Sequence, residues 1–409
     1  MKVGIFLGDE SPYNGGSYTF TSEILNSVIK LASESNHTFV VFGLKKEINY
    51  SLLAKNIQYI SLWQNPRRYW SYRFYVISNA ISQKLRHPNN KFKIENWHEK
   101  FIILHPLEKH EIDIIWNIGP FCLTMEIPNI FTVWDLQHRM QPYFPEVSIK
   151  GQWDEREEFY IKTLKRASFA LAGTNTTKSE IERFYEVPVE RIRVFPFPTP
   201  QFALNPPPND GKYILDKYNL PDKYLYYPAQ FWSHKNHVNL LLAVKLLVEK
   251  YNLNFPVVFS GSDKGNKEYI KEMAVKLDLS QQVHFLGFIP QEDLVALYQN
   301  AFALTFVTFF GPDNLPPLEA FALGCPVIAS KVSGATEQLE DAALLVDPKD
   351  PEHIALGIKS LWDDNNLRQT LVQRGLLRAS QWSGEDYTRG VFSLLDEFAT
   401  IRRCWGQNA

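Results

Sequence analysis

Cysteine is scarce: three in 409 residues (Cys122, Cys325, Cys404), with no CxxC pair. That argues against a disulfide scaffold and a zinc–cysteine site, and it fits a reducing compartment. An excess of one charge is also missing. Forty-three basic against 45 acidic side chains leave −2, so the balance does not demand nucleic acid as a partner. No window approaches the roughly 20 apolar residues that a membrane span needs. The opening MKVGIFLGDE turns acidic after a handful of apolar residues and reads as a first strand, too short for a signal peptide. Apolar residues are not lacking. At 45% they exclude disorder as the main state, and the length predicts two or three domains.

Short apolar runs alternate with amphipathic stretches, the pattern of an α/β fold. The spacing predicts strands over Lys2–Leu7, Thr38–Phe42, Ile112–Trp116, Asn129–Val133 and Ala170–Ala172, and helices over Thr21–Ala32 and Ser179–Tyr185. Six prolines between Pro196 and Pro208 interrupt the pattern and mark an interdomain linker. The alternation then restarts, with strands from Tyr224–Tyr227 to Ala343–Val346 and a long helix over His237–Tyr251. Two doubly wound domains in series are expected, with a ligand at the carboxyl ends of the strands between them.

The most specific stretch runs from Phe309 to Leu339, FFGPDNLPPLEAFALGCPVIASKVSGATEQL. A strand ends in a turn at Gly311, and a helix begins near Leu315 with Pro316 and Pro317 in its first turn, where missing amides cost nothing. The free N–H groups and positive dipole end suit an anion such as a diphosphate. Glu319, one turn in, has the reach to accept two hydroxyl hydrogen bonds, as from a ribose. The plainer alternative is a βα turn with a solvated glutamate.

This stretch resembles the signature of retaining nucleotide-sugar glycosyltransferases of glycosyltransferase family 4, which have the GT-B architecture. There LPxLEAMAxGxPVIAS closes an E-x7-E motif. Leu315, Pro316, Pro317, Leu318, Glu319, Ala320, Gly324, Pro326, Val327, Ile328, Ala329 and Ser330 match it, and Gly334 and Glu337 match a following GGxxE. The first glutamate of E-x7-E falls at Gly311, as in the GPxNLPPLEA variant of polysaccharide-building members. The backbone amides of Asp313 to Leu315, or the side chains of Asp313 and Asn314, are then expected to position the donor sugar.

The resemblance extends over nearly the whole chain. In YYPAQFWSHKNHVNLLLAVKLL, Lys235 matches the lysine that neutralises the donor diphosphate, while the arginine position is Gln230. Another Arg or Lys, or His234, is expected to substitute. A cation at a helix start is disfavoured unless it has an anion to bind, which favours a functional Lys235 over a surface lysine. His234 and His237 read as solvated helix-start histidines rather than a metal pair. In FTVWDLQHRMQPYFPE the family's sugar-side histidine is replaced by Trp134, which can stack on a sugar face. Asp135 and His138 are candidates for contacts at the reacting centre, beside the alternative of a capped loop with a buried indole.

Gly15 and Gly16, in the turn after the first strand, let the backbone approach a ligand. Gly287, Phe288 and Ile289 match the segment that receives the nucleobase. Thr174 and Asn175 either face the cleft or cap a helix. Pro66 to Phe101 holds eight Lys and Arg against two acids, interleaved with aromatics, which suits an anionic membrane surface and a lipid-linked acceptor.

The resemblance implies two Rossmann-like domains facing across a cleft. The expected division is 1–205 on the acceptor side, 206–383 for nucleotide-sugar binding, and 384–409 as a helix crossing back. It implies transfer of a hexose, mannose as a first guess, from a nucleotide diphosphate sugar to a glycan or lipid-linked hydroxyl in cell-surface polysaccharide synthesis. The anomeric configuration is retained, and the leaving diphosphate takes the acceptor proton. No DxD pattern is present, so neither a metal nor another cofactor is expected, and the expected location is cytoplasmic or peripheral on the inner membrane face. The competing readings are a nucleotide-sugar-binding pseudoenzyme that partners another transferase and, third, a nucleotide-sugar epimerase.

Overall fold

The computed structural model describes residues 1–8, 11–43, 55–61, 104–208 and 211–406. The basic aromatic stretch 66–101 lies outside them. Two parallel sheets form two α/β domains. The first has seven strands: β1 (Lys2–Leu7), β2 (Thr38–Gly43), β3 (Ile57–Ser61), β4 (Ile114–Asn117), β5 (Asn129–Val133), β6 (Phe169–Ala172) and β7 (Ile192–Val194). Their spatial order is β3-β2-β1-β4-β5-β6-β7. The second has six: β8 (Leu225–Pro228), β9 (Val257–Ser260), β10 (Val283–Gly287), β11 (Ala303–Phe306), β12 (Val327–Ser330) and β13 (Ala343–Val346), in the order β10-β9-β8-β11-β12-β13.

Parallel sheets are covered on both faces, so their strands read as unbroken apolar runs. β4, β5 and β9 accordingly have every residue buried. In each sheet the winding reverses once, between β1 and β4 and between β8 and β11. Loops at the carboxyl ends of strands flanking such a reversal splay apart and leave a crevice.

Two helices begin earlier than their apolar periodicity suggests. One runs Gly16–Leu31, because Gly15 at φ +66° turns the chain directly into it. The other runs Asn175–Tyr185, because the Thr174 side chain accepts the Thr177 N–H. Within the proline-rich connection, the short helix Gln201–Leu204 already buries Ala203 in the second domain's core. The chain has therefore entered that domain slightly before residue 206.

The last helix, Gly384–Arg402, starts at a capping box between Ser383 and Asp386. Its Tyr387, Val391, Leu395 and Phe398 are buried with Val3, Ile5, Ile24 and Val28 of the first domain. Each such side chain contributes roughly 1.5–3 kcal/mol of burial, which fastens the chain's return to the first domain. Among the described residues no helix is long and apolar enough to cross a membrane.

Candidate functional site

The two winding reversals face each other. After β1 a one-turn helix (Pro12–Asn14) leads to Gly15. A Cβ at Gly15 would sit 3.6 Å from the Gln230 side chain, and one at Gly16 would sit 3.8 Å from Leu315 Cδ1. Gln230 Nε2 donates to Tyr13 O at 3.2 Å, and its Oε1 accepts from Trp232 Nε1 at 3.0 Å. The residue at the expected arginine position therefore ties the two domains together. Beside it the Tyr13 and Phe288 rings meet across the cleft, tilted by 37° with centroids 4.3 Å apart. Gly287 has φ +73° and open space where a Cβ would be, Phe288 is exposed, and Ile289 is buried.

Lys235 closes a single helical turn, Ser233–Lys235, after β8. Asn236, in the left-handed region, redirects the chain into the helix His237–Tyr251. Its side chain anchors the turn by donating to Val307 O at 2.8 Å and Pro348 O at 2.7 Å. Lys235 is half-buried, with Nζ 5.1 Å from the centre of the Phe306 ring. No hydrogen bond or ion pair to Nζ is found among the described residues. Burial lowers its pKa to about 8, against the pull of Asp135 and Glu146.

The turn before the Leu315–Ala322 helix is held by internal bonds. Gly311 adopts φ +121°, and Asn314 Nδ2 donates to its carbonyl at 2.7 Å. Asn314 N donates to Gln338 Oε1 at 3.0 Å. Asp313 is buried; its Oδ2 accepts from Phe197 N at 2.6 Å, its Oδ1 accepts from Gln338 Nε2, and burial pushes its pKa up to about 8. Both Asp313 oxygens are thus engaged within the protein, which corrects the expectation that its side chain positions a sugar, while Asn314 holds the turn through Nδ2.

Pro316 and Pro317 do occupy the first helical turn. Glu319 is buried, not solvated. It accepts from Tyr298 OH at 2.8 Å through Oε2, and burial raises its pKa to about 7. Its other oxygen has no partner among the described residues.

On the first domain's side, Trp134 lies edge-on to Phe20 and Phe197, with centroids at 5.8 and 6.3 Å. Asp135 Oδ1 accepts from Gln137 N at 2.9 Å and from Arg156 at 2.6 Å. His138 requires a correction. It has no exposed surface, stacks on Tyr160 at 5.5 Å, and places Nε2 3.2 Å from both Glu157 and Tyr185. Burial lowers its pKa to about 4. It turns into the first domain's core because its helical turn, Gln137–Met140, points it there.

Thr174 is a buried helix cap, and Asn175 gives its N–H to Glu337 at 2.7 Å. His234 and His237 are also buried, contrary to the solvated reading. Burial lowers them to about 4 and 3, so neither substitutes for the missing cation.

Several residues at the cleft carry no sequence signal of their own. Glu146 and Gln141 reach from the first domain to His234 N at 2.8 Å and Phe309 O at 2.9 Å. Glu180, which burial raises to about 7, meets Ser333 Oγ at 3.5 Å. They lie on irregular turns or on helix faces whose partner is the other domain, so no period marks them.

The chain resembles known proteins in sequence and in fold. Residues 215–378 match the family described as glycosyl transferases group 1. O-antigen chain mannosyltransferase B of Escherichia coli is 29% identical over 245 residues, which is 60% of this chain and 64% of that protein. O-antigen chain mannosyltransferase RfbU of Salmonella typhimurium is 28% identical over 226 residues, 55% of this chain and 59% of that one. The matched part thus spans about three fifths of these relatives. Among solved structures, sucrose-phosphate synthase of Thermosynechococcus elongatus superposes with a TM-score of 0.71 at 18% identity, over 98% of this chain and 99% of that chain. WaaG, a glycosyltransferase involved in lipopolysaccharide biosynthesis, gives 0.67 at 16%, over 96% and 99%.

Proposed function

For a chain with a group 1 glycosyltransferase domain in a GT-B fold, we propose transfer of a hexose from a nucleotide diphosphate sugar to a hydroxyl of a glycan or lipid-linked acceptor. The observation that carries this reading is Lys235, a half-buried ammonium with no ion pair among the described residues, between the two facing reversals. A diphosphate there satisfies it and also meets the positive end of the Leu315–Ala322 helix. As the sugar–phosphate bond breaks, charge grows on the diphosphate, and a fixed cation stabilises that state more than the ground state. Glu319 has one oxygen left for the ribose hydroxyls, and the backbone from Gly287 to Ile289 is the place for the base.

The family resemblance implies a reaction in which no enzymic nucleophile is required. This supports a front-face course with retention, in which the leaving diphosphate takes the acceptor proton. The names of two relatives support mannose as the sugar and a surface polysaccharide as the destination. A cytoplasmic site of action, at the inner membrane face, suits a nucleotide sugar and a lipid-linked acceptor. No metal is assigned a role.

The test is a thermal-shift screen against GDP, UDP, dTDP and ADP with their sugar conjugates, repeated with Lys235→Ala. A ligand at 100 times its dissociation constant adds about 2.7 kcal/mol. A shift with one base, lost in the variant and followed by turnover of that donor, supports the reading. Binding without turnover under any acceptor supports the pseudoenzyme instead, and no shift with any nucleotide overturns the donor site.

A further inference from the structure

Glu146 belongs to the first domain, on the short helix Pro145–Ser148, yet its carboxylate lies against the turn that carries Lys235. Oε1 accepts from His234 N at 2.8 Å and also from His234 Nδ1. The Glu146 and His234 side chains keep 7% and 10% of their surface. The imidazole is fixed on its faces as well. It stacks on Phe310 with centroids 3.8 Å apart and planes 12° apart, and Phe144 meets it edge-on at 6.3 Å.

An ionised carboxylate only accepts hydrogen bonds. Nδ1 therefore carries the ring proton, and Nε2 presents a lone pair. Nothing among the described residues donates to Nε2. Burial keeps the ring neutral at physiological pH, so this tautomer persists. The next residue, Lys235, offers an ammonium with no ion pair among the described residues. Side by side the two residues present one cation and one fixed neutral acceptor. A bare phosphate uses only the first; a phosphate joined to a hydroxyl-bearing ring uses both.

The geometry points to Glu146 and His234 as a carboxylate–imidazole pair that reads the transferred sugar: Glu146 sets the tautomer, and His234 Nε2 accepts a hydrogen bond from a sugar hydroxyl. Glu146 is a positioning residue and His234 a contact residue. No bond to carbon forms or breaks in this step, and the ring proton stays on Nδ1. The inference rests on the reading of Lys235 as the diphosphate site.

Calorimetric titration of the full chain with GDP and GDP-mannose, UDP and UDP-glucose, ADP and ADP-glucose, and dTDP and dTDP-glucose tests both, with melting temperatures recorded in parallel. The variants are His234→Asn, His234→Gln and Glu146→Gln. Asparagine still donates to Glu146 from near the Nδ1 position but has no acceptor where Nε2 was; glutamine does the reverse. In His234→Asn, the nucleoside diphosphate that the wild type binds is expected to stay within about twofold, while its sugar conjugate weakens about tenfold. His234→Gln is expected to recover part of that loss, and Glu146→Gln to fall between. Wild-type affinity for the conjugate in His234→Asn overturns the proposal. So does equal weakening of both ligands with a lowered melting temperature, the mark of a purely structural latch. A wild-type chain that binds none of the eight ligands overturns the Lys235 reading itself, and this inference with it.

Discussion

Glu337 of the second domain caps a helix of the first: its carboxylate accepts from Asn175 N at 2.7 Å and from Thr176 N at 2.9 Å. Burial alone would raise its pKa, but these bonds and the Thr176 hydroxyl outweigh it and hold the pKa below the usual carboxylate range. A capping carboxylate is usually local in sequence; this one joins two domains. Glu337→Ala should cost about 1 kcal/mol of stability, read from urea denaturation. The difference from wild type should shrink as pH falls through the depressed carboxyl range, because protonation removes the acceptor charge in both the cap and its contribution.

Lys235→Ala should separate binding from folding. Nζ makes no hydrogen bond or ion pair among the described residues, so its removal should leave the melting temperature unchanged or raise it. Nucleoside diphosphate affinity should fall about 10- to 100-fold, a loss of about 1.4–2.8 kcal/mol in titration calorimetry. A large drop in stability without a change in affinity would mark Lys235 as structural.

Glu319 makes stability depend on pH in the less familiar direction. Its folded pKa is raised by burial to about 7. Between the ordinary value of 4.5 and about 7 the unfolded chain loses this proton while the folded chain keeps it, so stability falls as pH rises. The total is at most about 3 kcal/mol. Glu319→Gln should remove that slope, and guanidinium unfolding at pH 5 and pH 8 measures the difference between the two proteins.

His138 should behave as a core residue. His138→Ala should lose about 2–3 kcal/mol, since it vacates the stack on Tyr160 and removes a hydrogen bond to Glu157 and Tyr185. Turnover per folded molecule should not change at a temperature where the variant is folded. A kcat lost without loss of stability would return His138 to the reacting centre.

The sequence by itself determined every described strand but β3 and β7, and the alternation with helices, because fully buried parallel strands must be written as apolar runs and the covering helices as amphipathic ones; β3 and β7 are edge strands, only partly buried, and leave no such run. It also determined the Leu315–Ala322 helix start, since two adjacent prolines fit a first turn and little else. Those are local facts of burial, capping and backbone donors. Only the tertiary structure decided where side chains on irregular turns point. His138 and Asp135 share one loop, yet one is sealed into the core and the other is paired at its edge. Asp313 could be read as a sugar ligand until Phe197 N and Gln338, distant in sequence, claimed its oxygens. Glu146, Gln141 and Glu337 act across the cleft, and a contact made by another domain leaves no period in the chain that makes it.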